Sequence, residues 1–427
     1  MKKSSSILAF SLISILSSCS VNISSFCLKE AAKPASFSYE SYNTNEYKSY
    51  FNKILNSQFN MIKKFNAYND GDYLISPTTI FNAFSMLELS TINDNLEEVK
   101  AVIGVDEIEN KENYEYYFSK LNKEFEGGLI KSLNSIWLSS KLKDRYDTNT
   151  LDTLANDMFV NSYEVDFANE KETFKVIDQY IKSATNNLLN ADGMKFDSLD
   201  VAMLLNTLYI KDLWNKNKDL SETKETYSFK NEDGSEYKTK LLYKAKVSGK
   251  PIIEEAYKKF YVNTCNGYEL EFIVPNVNYE INDVFELSEI DQLLKENSYI
   301  NSDDDYIYYT NVYFPSFSVE GNYELIDFFK EEYNLTSLFN PSFDYTLLEG
   351  SPIELVTSSI LHKNKLSVDK EGIEGASYTS IMIGPTSSDV DKEIKTYDFY
   401  VDKGFIFNLK SSDGNILFSG TVSNLSN

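Results

Sequence analysis

The chain has 427 residues, of which 65 are Asp or Glu and 41 are Lys or Arg, so its formal net charge is −24 at pH 7. A protein this acidic repels nucleic acid and anionic glycans, and no basic cluster suggests a heparin-binding site. The single histidine excludes HExxH zinc sites and clusters of several histidines. We therefore expect neither nucleic acid as a partner nor a metal or other cofactor.

The N-terminal residues are typical of an export signal. Two lysines precede an apolar run, residues 7–16, which is too short to span a bilayer. The Leu-Ser-Ser that precedes Cys19 is similar to a bacterial lipobox. We predict a lipoprotein signal peptide over residues 1–18, lipidation of the Cys19 thiol, and a location on the extracellular face of the cell membrane. The alternative is an ordinary secretory signal, which would give a secreted protein.

Residues 19–44 are rich in Ser, Asn and Ala and are predicted to form a flexible tether. The remainder, residues 45–427, contains no Pro/Gly-rich linker and no internal repeat, which favours one large domain. Besides Cys19, the chain has Cys27 and Cys265. These two either pair in a disulfide or remain two thiols, because the sequence does not fix their separation.

Two helices are predicted at the start of the domain. Residues 45–66 place large apolar side chains at helical spacing, which indicates an amphipathic helix. Ser76 and Pro77 then provide a hydroxyl N-cap and a proline at the first position of a second helix.

Strand patterns dominate the later part of the chain. Residues 200–211 and 268–275 are apolar enough to be buried strands, and residues 404–411 and 416–423 flank an Asp-Gly turn that is typical of a hairpin. Helices cluster early and strands late, with interleaving. The fold class is therefore predicted to be α+β rather than a regular βαβ alternation.

Residues 371–386 combine the alternation of a strand with the glycine and proline content of a loop. Every second residue is small or β-branched: Ile373, Gly375, Ser377, Thr379, Ile381 and Ile383. The intervening set contains the only charge, on Glu374. The alternation predicts a strand with one buried face that is presented as a loop. A chain with such a strand kept out of its sheet has a higher free energy than the same chain with the strand paired.

Five ordered blocks carry a resemblance to a known family. They are residues 75–87, 206–214, 360–369, 371–377 and 399–422. Together they resemble the serpins, a family of suicide inhibitors of proteases. The resemblance implies a large central, mostly antiparallel sheet with additional smaller sheets, helices packed around them, and an exposed reactive loop.

The resemblance also implies a mechanism. A protease cleaves the loop, forms an acyl-enzyme, and is trapped as the cleaved loop inserts into the central sheet. The hinge of this loop is implied to be Glu371, Gly372, Ile373, Glu374, Gly375, Ala376 and Ser377. Counting from Ile373 in the family manner places the reactive bond between Thr386 and Ser387. We accordingly expect an inhibitor without catalytic residues, not an enzyme.

The same resemblance gives the only histidine a structural role. His362 matches a position that joins the matches of Asn206 and Ser76 in a polar network beneath the sheet, where strands part to admit the loop. Trp214 matches an aromatic residue at the top of the sheet, near the place where the loop enters. A Ser-His-Asp hydrolase built on His362 would lack a nucleophile-elbow motif.

The charge of the loop favours some target proteases over others. No Lys or Arg lies between Glu371 and Lys392, so trypsin-like enzymes, whose pocket binds a cation, are disfavoured. Elastase-like or subtilisin-like serine proteases are the favoured partners of a monomeric inhibitor, with papain-like cysteine proteases as an alternative.

Three loop residues, Ile373, Gly375 and Tyr378, depart from those usual in inhibitory serpins. A second interpretation is therefore a non-inhibitory serpin-fold surface lipoprotein that acts as a binding module. A third is an unrelated lipoprotein, such as an adhesin or a solute-binding protein.

Overall fold

A computed structural model describes the protein over residues 22–38, 42–215, 219–295, 299–375 and 392–425. Within these residues the α-helices are α1 (Asn45–Tyr68), α2 (Pro77–Glu88), α3 (Asn93–Ile103), α4 (Glu107–Lys120), α5 (Thr148–Asp157), α6 (Glu170–Ala184), α7 (Ile281–Phe285), α8 (Ile290–Lys295) and α9 (Ile326–Tyr333). Short 3-10 helices span Ile23–Phe26, Ser140–Arg145 and Ser337–Phe339.

The strands of the described residues form several sheets. They are β1 (Cys27–Lys29), β2 (Leu74–Ile75), β3 (Asn122–Phe125), β4 (Gly128–Ser139), β5 (Val160–Val165), β6 (Ala202–Leu213), β7 (Ser221–Glu222), β8 (Tyr227–Lys230), β9 (Glu236–Thr239), β10 (Leu242–Ser248), β11 (Ile252–Ile253), β12 (Tyr257–Asn263), β13 (Glu269–Pro275), β14 (Tyr306–Phe314), β15 (Phe317–Glu324), β16 (Leu361–Val368), β17 (Gly372–Gly375), β18 (Glu393–Tyr400), β19 (Phe405–Lys410) and β20 (Ile416–Val422).

Both predicted N-terminal helices are confirmed, and side-chain caps explain where they begin. Thr44 Oγ1 accepts a hydrogen bond from the backbone N–H of Tyr47 (3.1 Å) at the start of α1. Ser76 Oγ accepts one from the backbone N–H of Thr79 (3.3 Å), with Pro77 at the first position of α2. Each cap satisfies a backbone donor that the first helical turn leaves without a partner.

The largest sheet has the strand order β1-β5-β4-β6-β17-β16-β15, and β3 pairs with β4. Its ladders are antiparallel except for the parallel pair β4 and β5. We call the end of this sheet at the C-terminus of β6 the upper end and the opposite one the lower end. A mostly antiparallel large sheet with smaller sheets and surrounding helices confirms the predicted α+β fold.

Three further sheets complete the described fold. A six-stranded sheet has the order β11-β12-β13-β19-β20-β2, a four-stranded sheet has the order β18-β14-β10-β7, and β8 pairs with β9 in a two-stranded sheet. The predicted hairpin is confirmed as β19 and β20, and the predicted buried strand over 268–275 is confirmed as β13. The strand predicted over 200–211 is present as β6, but its first five residues are only half-buried. The main apolar core includes side chains of α1, α2 and the six-stranded sheet. A second cluster joins Trp137 and Tyr163 of the large sheet to Ile177 and Tyr180 of α6.

The structure corrects the prediction of a flexible tether over residues 19–44 in its described part. Ile23–Phe26 is a 3-10 helix, and β1 extends the edge of the large sheet, with Cys27 opposite Tyr163. Apolar side chains of this segment pack against the second core cluster. Composition suggested a tether because Ser, Asn and Ala residues outnumber the few apolar residues that hold the segment on the fold.

Candidate functional site

Four residues of the predicted hinge form β17 (Gly372–Gly375), which lies between β6 and β16 at the upper end of the large sheet. Gly375 lies opposite Ile210 of β6, and Glu374 lies opposite Ser367 of β16. The strand is antiparallel to both neighbours. The start of the predicted loop is therefore already a strand of the sheet.

Ile373 points into the protein from β17. It is 1% exposed and lies opposite Asp212 on one side and Val368 on the other. This confirms that the residue set beginning with Ile373 starts on the buried face. Just before it, a Cβ at position 372 would lie 2.0 Å from the carbonyl oxygen of Asp212, so the close approach of the two strands requires glycine at Gly372.

A buried carboxylate faces the hinge from β6. The side chain of Asp212 is fully buried, and its Oδ1 accepts hydrogen bonds from Asn266 Nδ2 (2.6 Å) and from the backbone N–H of Leu213 (2.8 Å). The Cys265 thiol lies 3.4 Å from the same oxygen. Burial raises the pKa of Asp212, because the charged form is poorly solvated there.

Trp214 holds the turn that leads into β17. Its side chain is fully buried, and Nε1 donates a hydrogen bond to the carbonyl oxygen of Asp369 (2.6 Å). Its backbone N–H donates to the carbonyl oxygen of Glu371 (3.1 Å). Lys244 Nζ in turn donates to the carbonyl oxygen of Trp214 (2.8 Å), and burial lowers the pKa of this lysine. The turn before the hinge is thus fixed through both the side chain and the backbone of one residue.

The opposite face of β17 is also held. The Tyr209 hydroxyl donates a hydrogen bond to Glu374 Oε1 (2.7 Å) and accepts one from Asn186 Nδ2 (3.1 Å). Burial and the neighbouring Glu374 carboxylate raise the pKa of Tyr209. The one charged residue of the alternating segment therefore has a specific partner on β6.

Below β17, a cavity of about 60 Å³ separates the lower parts of β6 and β16. Its lining includes residues 205–208 of β6, residues 361–365 of β16, and Thr185 and Leu189 after α6. Among the described residues, no ladder joins β6 directly to β16. The seam between these two strands is thus closed by β17 at the upper end and contains a cavity further down.

His362 lies on the wall of this cavity and is 7% exposed. Its Nε2 accepts a hydrogen bond from the backbone N–H of Ser76 (3.0 Å), which assigns the proton of the neutral ring to Nδ1. Burial lowers the pKa of His362 to about 3. The imidazole is therefore neutral at physiological pH and serves as a hydrogen-bond acceptor.

Asn206 lies across the cavity from His362. Its Nδ2 donates to Asn134 Oδ1 (2.7 Å) and to Ser132 Oγ (3.1 Å) on β4. Its Oδ1 is buried and has no hydrogen-bond partner among the described residues. A buried acceptor without a donor costs about 1–3 kcal/mol, so this atom marks a place that a further polar group would satisfy.

The structure brings the three predicted network residues together only in part. Ser76 and His362 are directly hydrogen-bonded, whereas Asn206 bonds to neither of them and shares only the cavity with His362. Of the predicted hinge, residues 371–375 are described. Ala376, Ser377, Thr386, Ser387 and Cys19 lie outside the described residues.

The open question about the cysteines is answered by their positions. Cys27 lies in β1 at the edge of the large sheet, and Cys265 lies beside Asp212, and no disulfide joins them. This confirms the alternative of two thiols.

Two other kinds of site are absent from the described residues. That part of the chain contains no cluster of three or more His, Cys, Asp or Glu side chains able to hold a metal ion. Nor does any helix within it combine the length and apolar character needed to cross a bilayer.

Sequence reasoning missed two residues of the hinge region. Asp212 and Tyr209 both belong to a strand whose sequence is mostly apolar. The family resemblance singled out Trp214, which follows them, and gave no role to either. A signal was present for Asp212. It follows Ile210 by two positions and so lies on the same buried face of the strand, where a charge is unusual.

Comparison with known proteins decides the family. The sequence profile described as Serpin (serine protease inhibitor) matches residues 54–425, most of the chain. This chain belongs to the serpin family. Curated relatives of this serpin include human Serpin B3, 25% identical over 393 residues that cover 86% of this chain and 96% of the relative. Neuroserpin of Rattus norvegicus is 25% identical over 84% of this chain and 88% of its own length.

Solved structures agree with this assignment at the level of the fold. The native state of tengpin, a thermophilic serpin, matches with a TM-score of 0.72 at 21% identity, covering 92% of this chain and 97% of its own. Thyroxine-binding globulin in complex with thyroxine matches with a TM-score of 0.70 at 16% identity, covering 88% of this chain and all of its own. Serpins are mostly inhibitors rather than catalysts, and the second of these structures is a thyroxine-binding globulin with thyroxine bound.

Proposed function

We propose that this serpin is a suicide inhibitor of serine proteases that traps its target by inserting the cleaved loop between β6 and β16. The observation that carries the proposal is the register of β17. Gly375 pairs with Ile210, so continuing the antiparallel ladder places Thr379 opposite Asn206. Continuing the ladder to β16, in which Glu374 pairs with Ser367, would place the same Thr379 opposite His362. An inserted strand that kept the register of β17 would therefore bring one loop residue to both sides of the cavity.

The chemistry at that position supports insertion. Thr379 has the same parity as Ile373, so its side chain would share the buried face. Its hydroxyl would supply the donor that Asn206 Oδ1 lacks. No charged residue occurs at positions 375, 377, 379, 381 or 383 of the same face, so no uncompensated charge would be buried.

The free energy available is large on the scale of protein stability. A strand extended to Ile383 adds roughly a dozen backbone hydrogen bonds at ~0.5–1.5 kcal/mol net each, on the order of 10 kcal/mol in total. Burial of Ile381 and Ile383 adds about 1.5–3 kcal/mol each. A gain of this size can drive the displacement of a protease that is still esterified to the loop.

The proposal extends to target and location. The scissile bond is Thr386–Ser387, and the absence of Lys and Arg near it favours elastase-like or subtilisin-like targets over trypsin-like ones. Cys19 carries a lipid that holds the monomeric inhibitor on the outer face of the cell membrane.

The deciding experiment mixes the ectodomain with elastase or subtilisin and analyses the products on a denaturing gel. We expect a covalent band at the summed mass. The variant Thr379→Arg buries a charge and is expected to be cleaved without forming this band. In the matched variant Ala376→Arg, the substituted position has the parity of Glu374, so insertion would leave the charge outside the buried face and we expect the covalent band to form. Cleavage of the unsubstituted protein without any covalent band would contradict inhibition and favour the non-inhibitory binding module.

A further inference from the structure

The docked N-terminal segment restricts how a molecule anchored through Cys19 would be oriented. Only Ser20 and Val21 separate Cys19 from Asn22, where the described residues begin. Three peptide steps of at most ~3.6 Å each place Asn22 within roughly 11 Å of Cys19. A free chain over residues 19–44 would instead have an end-to-end distance of roughly 30 Å.

The segment is held on the fold along its length, so the attachment point is well defined. The backbone N–H of Ala31 donates to Asn161 Oδ1 (3.0 Å), and that of Ala32 donates to the carbonyl oxygen of Ala155 (2.9 Å). Lys29 forms an ion pair with Asp152. These contacts follow β1 and join it to β5 and α5, so an attached lipid would act on the body of the protein and not on a free tail.

The strand register gives the height of this attachment in the sheet. Cys27 lies opposite Tyr163, Tyr163 opposite Trp137, and Trp137 opposite Met203. Met203 is ten positions before Leu213, the partner of the hinge, so the anchored edge lies about 33 Å below the hinge at ~3.3 Å per residue. Because β1 runs upward from Cys27, the residues that precede it approach the lower end.

We infer that the lower corner of the large sheet, formed by residues 22–29 and the turn at residues 197–200, is the surface that faces the lipid bilayer. This inference rests on the lipid anchor proposed above. Removing the signal peptide with its two lysines changes the net charge from −24 to −26, so an anionic leaflet repels the rest of the body and opposes a flat orientation. The hinge and the reactive loop then project away from the membrane, toward proteases in solution.

The same geometry predicts where a trapped protease would go. Extending the ladder of Gly375 and Ile210 pairs Ile383 with Ala202, at the lower end of β6. Thr386 would lie three residues further, at the height of Leu199. Insertion would thus carry the acylated protease from the side facing solution to the side facing the bilayer.

The test uses the full-length lipoprotein in vesicles of phosphatidylcholine and phosphatidylglycerol that contain an acceptor-labelled lipid. A donor fluorophore is attached through an azide-bearing amino acid at position 199 or 371; Leu199 is 85% exposed and Glu371 is exposed as well. We expect energy transfer from position 199 to exceed that from position 371 by about twofold or more, because Met203, four residues after position 199, already lies roughly 33 Å of strand below the hinge. Equal transfer from the two positions would overturn the orientation.

A matched variant and a mass measurement make the outcomes distinct. Inserting about sixteen Gly and Ser residues between Val21 and Asn22 provides roughly 20 Å of free chain and should reduce the difference between the two positions. An intact mass without lipid on Cys19 would overturn the inference. It would leave the inhibition assay untouched, because that assay is performed in solution.

Discussion

The upper and lower parts of the seam between β6 and β16 differ in one respect that explains how this serpin could work. In the upper part, β17 pairs with both neighbours, Ile373 is buried, and Glu374 has a partner in Tyr209. In the lower part, a cavity separates the strands and Asn206 Oδ1 has no hydrogen-bond partner among the described residues. Among the described residues, β6 and β16 are thus joined through β17 in the upper part of the seam and by no strand in the lower part, while each part contains a buried side-chain oxygen that lacks a partner, Asp212 Oδ2 above and Asn206 Oδ1 below. The difference identifies the lower seam as the place where stabilisation remains to be gained.

The largest expected effect follows cleavage of the loop. If the lower seam accepts the cleaved strand, the gain is on the order of 10 kcal/mol. The thermal unfolding midpoint, measured by circular dichroism before and after cleavage, should then rise by more than about 10 °C. Thr379→Arg should remove this rise and Ala376→Arg should retain it. An unchanged midpoint after cleavage of the unsubstituted protein would show that the cleaved loop gains no stabilisation from the lower seam.

The upper seam is best tested at its fixed turn. Trp214→Ala removes a fully buried ring and the hydrogen bond to Asp369, and we expect a loss of about 3–5 kcal/mol in the free energy of unfolding. Trp137→Ala is the matched control, since that ring is equally buried but lies toward the lower end. Both variants should be destabilised in denaturant titrations. Only Trp214→Ala should speed hydrogen exchange in residues 371–375; equal exchange in the two variants would contradict the role of Trp214 at the hinge.

The lower seam contains a pH-dependent group. Burial lowers the pKa of His362 from 6.5 to about 3, so the unfolded chain binds the proton first as the pH falls. The contribution of His362 to stability is complete above pH 6.5 and is lost as the pH falls toward 3. Between pH 6.5 and 5 the loss is about 2 kcal/mol.

The measurement compares the unfolding free energy of the unsubstituted protein and of His362→Gln, which keeps an acceptor near the position of Nε2. The difference between the two proteins isolates the histidine. This comparison is needed because Glu88 and Glu269, whose pKa values burial raises to about 7, act with the opposite sign and stabilise the fold as the pH falls from 7 to 4.5. Parallel pH profiles for the two proteins would contradict a buried neutral imidazole.

The smallest expected effect concerns the outer face of β17. Tyr209→Phe removes the hydrogen bond to Glu374 together with the one accepted from Asn186, and we expect a loss of about 1–2 kcal/mol, since the Glu374 acceptor is charged but partly exposed. Tyr243→Phe, which loses only a 3.4 Å contact with Asn311, serves as the control and should change the stability little. Equal losses in the two variants would show that Glu374 is not held specifically.

The parts of this architecture that sequence predicted are those governed by local rules. The cap at Ser76 defines the start of a helix through a contact within one turn, and the alternation around Ile373 fixes which face is buried. The family resemblance predicted a structural role for His362, because a histidine that follows the apolar pair Ile360 and Leu361 matches a recurrent place in that fold.

The parts that sequence did not predict depend on long-range pairing. Tyr209 and Glu374 are 165 residues apart, and only the register of β6 with β17 makes them neighbours. The docking of Cys27 against Tyr163 likewise depends on an exposed sheet edge that composition does not reveal. Asn206 was expected in one network with Ser76 and His362, yet in this state it bonds to β4 instead.

The most direct test of the central claim is hydrogen–deuterium exchange, followed by mass spectrometry, of the intact and the loop-cleaved protein. Peptides that cover residues 202–209 and 361–366 form the two sides of the lower seam. We predict that cleavage strongly slows exchange in both peptides while leaving the six-stranded sheet unchanged, because a new strand would occupy the free side of each. Unchanged exchange at these residues after complete cleavage would contradict insertion of the loop between β6 and β16.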